Sequence, residues 1–274
     1  MSEPDADHDP EHDPEHEQRG WRIRAEWGPT GAQALRSAGD LTVAVIVDVL
    51  SFTTSVTVAV ERGVTVFPFA WKDARAAQYA AEVDATLAVG RLEAEREAER
   101  EASRGVSLSP ATMARLEGIE RIVLPSPNGS TIAAMLAGSG VDVVAACLRN
   151  AETVARWLAT RSAPEDTIAI IAAGERWPDG SLRPAVEDLW GAGAVVAGLV
   201  EAGTAPETLS PEARVAEASF RAVRPCLDSE LGGCASGREL IAKGFCDDVR
   251  IAAEAGASSV VPLLVDGAFR AVGG

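Results

Sequence analysis

The sequence predicts a layered α/β fold with a mainly parallel sheet flanked by helices. Leu41–Val47 is an uninterrupted, mostly β-branched apolar run, which marks a strand buried on both faces. Similar short apolar runs recur along the chain, each followed by a segment of helical periodicity. Repeated β-α units of this length call for crossover connections, and so for parallel strands. With 274 residues, 47% of them hydrophobic, the chain can build one large domain of this kind or two modest ones.

After Leu41–Val47, residues 54–62 predict a helix and residues 64–69 a strand. A helix over 72–83 and a short strand over 86–89 follow. Residues 93–103 are rich in Ala, Glu and Arg with i,i+4 charge pairs, which predicts an exposed helix. Strands at 121–124, 141–145 and Thr167–Ala172 alternate with helices at 130–136 and 152–160. The long helix over 187–201 is built of Ala, Gly and Val, so its face is buried. Three helical stretches lie between 211 and 255, and a last strand spans 259–264.

Residues 1–20 stand apart from the α/β body at 21–274. H-D-P-E-H-D-P-E-H repeats with period four and has no apolar face, so it predicts a disordered or extended tail. A metal-collecting role is the alternative, because the tail holds all three histidines, His8, His12 and His16. The body therefore lacks any histidine, which excludes Ser-His-Asp, Cys-His and histidine-phosphatase chemistry there.

The formal charge is −16. Eight acids against one arginine fall in residues 1–20, and subtracting them leaves 33 acids against 24 bases. That field repels nucleic acid, while a small anionic substrate needs only a few local cations and a metal. No apolar run spans a bilayer and no signal or transit pattern opens the chain, which points to a cytoplasmic protein without a membrane partner. A homo-oligomer is compatible with all of this. Cys147, Cys226, Cys234 and Cys246 form no C-x-x-C pair, so zinc is unsupported, and a Cys226–Cys234 bridge stays open. No nucleotide-binding glycine motif follows a strand.

Four segments could carry chemistry. In V-I-V-D-V-L-S-F-T-T, Asp48 ends a buried strand, and Ser51, Thr53 and Thr54 occupy the turn into a helix. Ligands in parallel folds bind at strand carboxyl ends and at helix N-termini, although a turn acid with hydroxyl caps fits the same pattern. In L-P-S-P-N-G-S-T, Asn128, Gly129 and Ser130 lead from a strand into a helix, as a phosphate loop or an ordinary Asn-Gly turn. In the third segment, Glu187 and Asp188 open a helix after the strand ending at Ala172. They can offset its dipole or hold Mg²⁺, which takes oxygen ligands. The fourth segment, Cys234 to Val249, carries no catalytic signal.

In this order and spacing the segments resemble the 2-phosphosulpholactate phosphatases, from about residue 42 to about 264. V-D-V-L-S-F-T-T is similar to the family's I-D-x-L-R-A-T-T, P-S-P-N-G-S-T to its T-T-T-N-G-T-R, and C-L-R-N-A-E-T-V to its S-x-x-N-A-x-x-V. A-G-E-R-W-P-D-G with V-E-D-L-W-G-A-G, and S-S-V-V-P, resemble the remaining motifs. Ser51 and Thr131 stand where the family has arginines, Gly90 where it has a glutamate, and 105–110 lacks its aspartate and asparagine.

The resemblance implies Mg²⁺-dependent hydrolysis of a small phosphate monoester, 2-phosphosulpholactate or a related acid, in coenzyme M biosynthesis. It implies Asp48, Glu187 and Asp188 as metal-binding or acid–base groups. Ser51, Thr53, Thr54, Arg91, Asn128, Gly129, Ser130 and Asn150 would contact the substrate. The departures leave a non-catalytic binder of such metabolites as the alternative. If strand ends share one edge, these residues converge on one cleft, where crowding raises a carboxylate pKa.

Overall fold

The computed structural model describes residues 14–70, 74–91, 94 and 106–272. Its strands are β1 (Ile23–Trp27), β2 (Leu41–Val47), β3 (Thr65–Phe69), β4 (Thr86–Leu87), β5 (Arg121–Pro125), β6 (Asp142–Ala146), β7 (Thr167–Ala172), β8 (Glu175–Arg176), β9 (Leu182–Arg183), β10 (Val261–Val265) and β11 (Ala268–Val272). All but β8 and β9 form one nine-stranded sheet in the order β1-β7-β2-β6-β10-β11-β3-β5-β4. The strands expected at 41–47, 121–124, 141–145 and 167–172 are β2, β5, β6 and β7, and all four lie in it.

The period-two alternation of buried strands sorts side chains onto two faces. Val43, Val45 and Val47 of β2 join Ile168, Ile170 and Ala172 of β7 in one core, under the helices Ala151–Arg161, Val186–Glu201 and Pro211–Val223. Ala44 and Ile46 join Ala169 and Ile171 in the other, under Gly28–Ser37, Phe52–Glu61 and Gly129–Leu136. The buried face expected for 187–201 is real. Gly191 lets this helix press on the sheet, since a Cβ there would lie 2.6 Å from Val47 and 2.7 Å from Val49. This close approach sets Glu187 and Asp188 beside the end of β2.

Five of the eight neighbouring pairings in the sheet are parallel. They fall into two groups, β1-β7-β2-β6 and β3-β5-β4, that run in opposite directions across the antiparallel β10–β11 hairpin. The premise that all strand ends share one edge is therefore corrected. β2 and β5 run oppositely, and the helix Gly129–Leu136, packed on both β2 and β3, brings the turn after β5 back to the end of β2.

Other differences are local. Residues Pro14–Glu17 form a 3-10 turn, and Gln18 Nε2 donates to Ala25 O of β1 at 2.8 Å. The ordered body thus begins before the boundary placed at residue 20, while His8 and His12 lie outside the described residues. The helix expected over 93–103 also lies outside them, apart from Ala94. Four α-helices and a short 3-10 helix, not three helical stretches, fill 211–255. All four cysteines are free thiols. Among the described residues, no helix is long and apolar enough to cross a membrane.

Candidate active site

Asp48 leaves the end of β2 in a tight turn. Thr53 fastens this turn: its hydroxyl donates to Asp48 O at 2.8 Å and accepts from Asp48 N at 2.9 Å. The Asp48 carboxylate then meets two helix N-termini. Oδ1 accepts from Phe52 N at 3.0 Å and Oδ2 from Gly129 N at 3.2 Å. Helix N-terminal amides favour an anion, and here a side chain of the protein occupies that position. Gly129 is required by closeness, because a Cβ would sit 3.0 Å from Asp48 Oδ2 and collide with the Phe52 ring.

Asp188, in the first turn of Val186–Glu201, clamps the ends of two strands. Its Oδ1 accepts from Val49 N at 2.7 Å, and its Oδ2 from Gly174 N at 2.9 Å. Glu187 beside it keeps Oε2 buried without a hydrogen-bond partner. A fourth carboxylate, Glu175, arrives from β8, and Asn128 Nδ2 donates to its Oε2 at 3.0 Å.

Crowding and burial act together on this cluster. Burial, then the negative fields of Glu175 and Glu187, push the Asp48 carboxyl up to about 7 against the pull of the Phe52 and Gly129 amides. Burial first, then Asp48 and Glu187, raise Asp188 well above the usual carboxylate range. Glu175 is raised by burial, with Asn128 and Arg183 opposing. The expected repulsion is present, but loss of hydration is the larger cause.

The structure thus brings Asp48, Glu187, Asp188, Asn128 and Gly129 together, and adds Glu175. The hydroxyls behave differently from the expectation. Thr54 donates to Val49 O at 2.7 Å and Ser130 to Leu124 O at 3.0 Å, so with Thr53 they spend their protons holding turns. Such local acceptors compete effectively for Ser and Thr. Asn150 is fully buried and bonds main-chain groups rather than the carboxylates, accepting from Cys147 N and donating to Ala145 O and Val260 O. Arg91 does not join the carboxylates. Its guanidinium bonds Ser51 Oγ and pairs with buried Asp248 at 2.6 Å, which also accepts from Ser109 Oγ at 2.6 Å.

The three inner carboxylates are sealed from solvent. Asp48, Glu187 and Asp188 are 5%, 2% and 3% exposed. Two clefts, of about 500 and 790 Å³, have none of them in their walls, though Arg91 and Asp248 line the larger. Half-buried Glu175 is the cluster's outer member. It belongs to the β8–β9 hairpin, opposite Arg183, and the hairpin's Asp179-Gly180-Ser181 tip is tied by Asp179 Oδ1 to Ser181 N and Oγ.

Residues 32–267 match the family described as 2-phosphosulpholactate phosphatase. The chain belongs to this family. The match includes every residue of the carboxylate cluster and its hydrogen-bond partners, from Asp48 to Asp188. The 2-phosphosulpholactate phosphatase family is one of phosphatases, enzymes of phosphate-ester hydrolysis.

Proposed function

We propose that the chain hydrolyses 2-phosphosulpholactate or a closely related phosphorylated acid with Mg²⁺, at the cluster formed by Asp48, Glu175, Glu187 and Asp188. The observation that carries this is the gathering of four carboxylates from three separated segments at the ends of β2 and β7, with one buried oxygen, Glu187 Oε2, left unpartnered. Buried carboxylates are expensive unless something neutralises them. Hard oxygen donors suit Mg²⁺, which takes one or two carboxylates and retains waters. Among the described residues, no three His, Cys, Asp or Glu side chains converge as a cation cage, so an ion here would rest on one or two carboxylates and water.

Glu187 would hold the ion through its unpartnered Oε2, with Glu175 at its outer side and Asp48 beside it free to exchange a proton; Asp188 would keep its oxygens on the Val49 and Gly174 amides and fix the geometry. Bound there, Mg²⁺ would neutralise charge on the phosphoryl oxygens. Asp48, raised toward neutrality by its surroundings, is suited to take or give a proton at Oδ2 during attack or departure. Asn128, anchored through Glu175, would orient the ester beside the Gly129 turn. The family origin supports the substrate class. The near-complete burial of three carboxylates favours the competing possibility, a homologue that binds such acids without turnover.

Phosphate release from a panel of phosphate monoesters, with Mg²⁺ and with a chelator, separates the two. Mg²⁺-dependent release from an acidic phosphate ester is expected. Stabilisation by the same esters with no release would leave only the binder.

A further inference from the structure

A phosphorylated acid must bring at least one further negative group to a place already holding four carboxylates. A metal ion on the phosphoryl side leaves that second group unmatched, so a cation is needed near the outer carboxylate, Glu175. Arg91 cannot serve, because it is paired with Asp248.

Arg183, on β9 directly opposite Glu175 in the hairpin, has the required properties. It is half-buried, and among the described residues no carboxylate lies within ion-pair distance of it. Its guanidinium stacks 5.8 Å from the centre of the Trp177 ring and spends one Nη2–H on Ser236 Oγ at 3.1 Å. Ser236 is only 5% exposed, and its own hydroxyl proton is donated to no described residue. It also lies in the first turn of the helix Ala235–Ala242, whose N-terminal end is positive. An oriented guanidinium with unspent donors and a buried hydroxyl with an unspent proton thus adjoin one another at the cluster's outer side. A planar guanidinium fork matches the paired oxygens of a carboxylate or sulfonate.

We propose that Arg183 and Ser236 form a subsite for the second anionic group of the substrate, a carboxylate or sulfonate, with Trp177 holding the guanidinium in place. This rests on the phosphatase assignment for its substrate, but binding alone can test it.

The decisive comparison sets wild type against Arg183→Gln, Arg183→Lys and Ser236→Ala in calorimetric titrations with sulfoacetate, a dianion that cannot be dephosphorylated. Thermal midpoints of all four proteins serve as the folding control. Wild type should bind, Arg183→Gln should bind at least tenfold more weakly, and Arg183→Lys and Ser236→Ala should fall between. In turnover assays, Arg183→Gln should raise KM for 2-phosphosulpholactate at least tenfold, with less than threefold change for p-nitrophenyl phosphate, which carries no second anion. Equal sulfoacetate affinity in wild type and Arg183→Gln, or no binding by wild type, would overturn the subsite. So would equal KM changes on both esters, which would mean that Arg183 merely balances Glu175. A wild type that binds sulfoacetate through Arg183 yet releases no phosphate would keep the subsite and remove the hydrolase.

Discussion

Asp188 Oδ1 accepts the main-chain N–H of Val49 at 2.7 Å, joining the first turn of Val186–Glu201 to the residue after Asp48. Its other oxygen holds Gly174 N at the end of β7, so one carboxylate fixes both strand ends around the cluster. Asp188→Asn would place an N–H₂ against one of these N–H donors and leave it unsatisfied in a buried setting. A loss of about 1–3 kcal/mol is expected from denaturant midpoints, together with reduced turnover. Unchanged stability would show that the clamp contributes nothing.

The raised carboxyl of Asp48 links stability to pH. Its pKa is about 7 in the folded protein against 3.8 for the free group, so the native state binds the extra proton between these values. Native proton uptake exceeds that of the unfolded chain in this window, and stability falls as pH rises through it, by about 1.4 kcal/mol for each pH unit. Metal-free wild type should therefore lose thermal stability between about pH 4 and 7. Asp48→Asn should flatten that dependence, and parallel profiles for the two proteins would contradict the assignment.

Gly129→Ala tests the close approach of the two turns. The new Cβ would press on Phe52 and on Asp48 Oδ2, and overpacking of this kind costs about 1–3 kcal/mol. Lower stability and lower kcat should appear together, since the same contact positions Asp48. A variant with wild-type melting and turnover would mean that the turns do not meet.

Asn150 offers the opposite test. It bonds three main-chain groups beneath the β6 turn and touches none of the clustered carboxylates. Asn150→Ala should destabilise the fold by about 1–3 kcal/mol while leaving KM unchanged in assays below the melting point. A large rise in KM at full stability would return Asn150 to the substrate-contacting group.

Much of the fold could be read from the chain because β2 and β7 are buried on both faces, and continuous apolar runs have sharp ends. Their bounds, Leu41–Val47 and Thr167–Ala172, coincide with expectation. β1 is hidden in the sequence because Arg24, buried and paired with Asp40 through Nη2–Oδ2 at 2.6 Å, breaks the apolar pattern. β11 does carry a signal: Asp266-Gly267, both at positive φ, is an Asp-Gly hairpin turn. That hairpin separates the two oppositely directed strand groups, so the strand ends could not all share one edge. Asp48, Glu187 and Asp188 stand out through their places at strand ends and a helix start. Glu175 does not, since a lone acid in a polar loop looks like any solvated residue; only its position just after β7 marks it. Which acceptors the hydroxyls of Thr53, Thr54 and Ser130 choose is a matter of three-dimensional turn geometry that residue type does not encode.

The most direct measurement is steady-state phosphate release from 2-phosphosulpholactate by wild type and Asp48→Asn, each titrated with Mg²⁺ and each shown to be folded. Wild type should release phosphate only with Mg²⁺, and kcat/KM should fall on the order of 10²–10⁴-fold in Asp48→Asn, the range for losing a positioned acid–base group. Release at the same rate by both proteins, or release indifferent to Mg²⁺, would contradict a metal-assisted reaction at the Asp48 cluster.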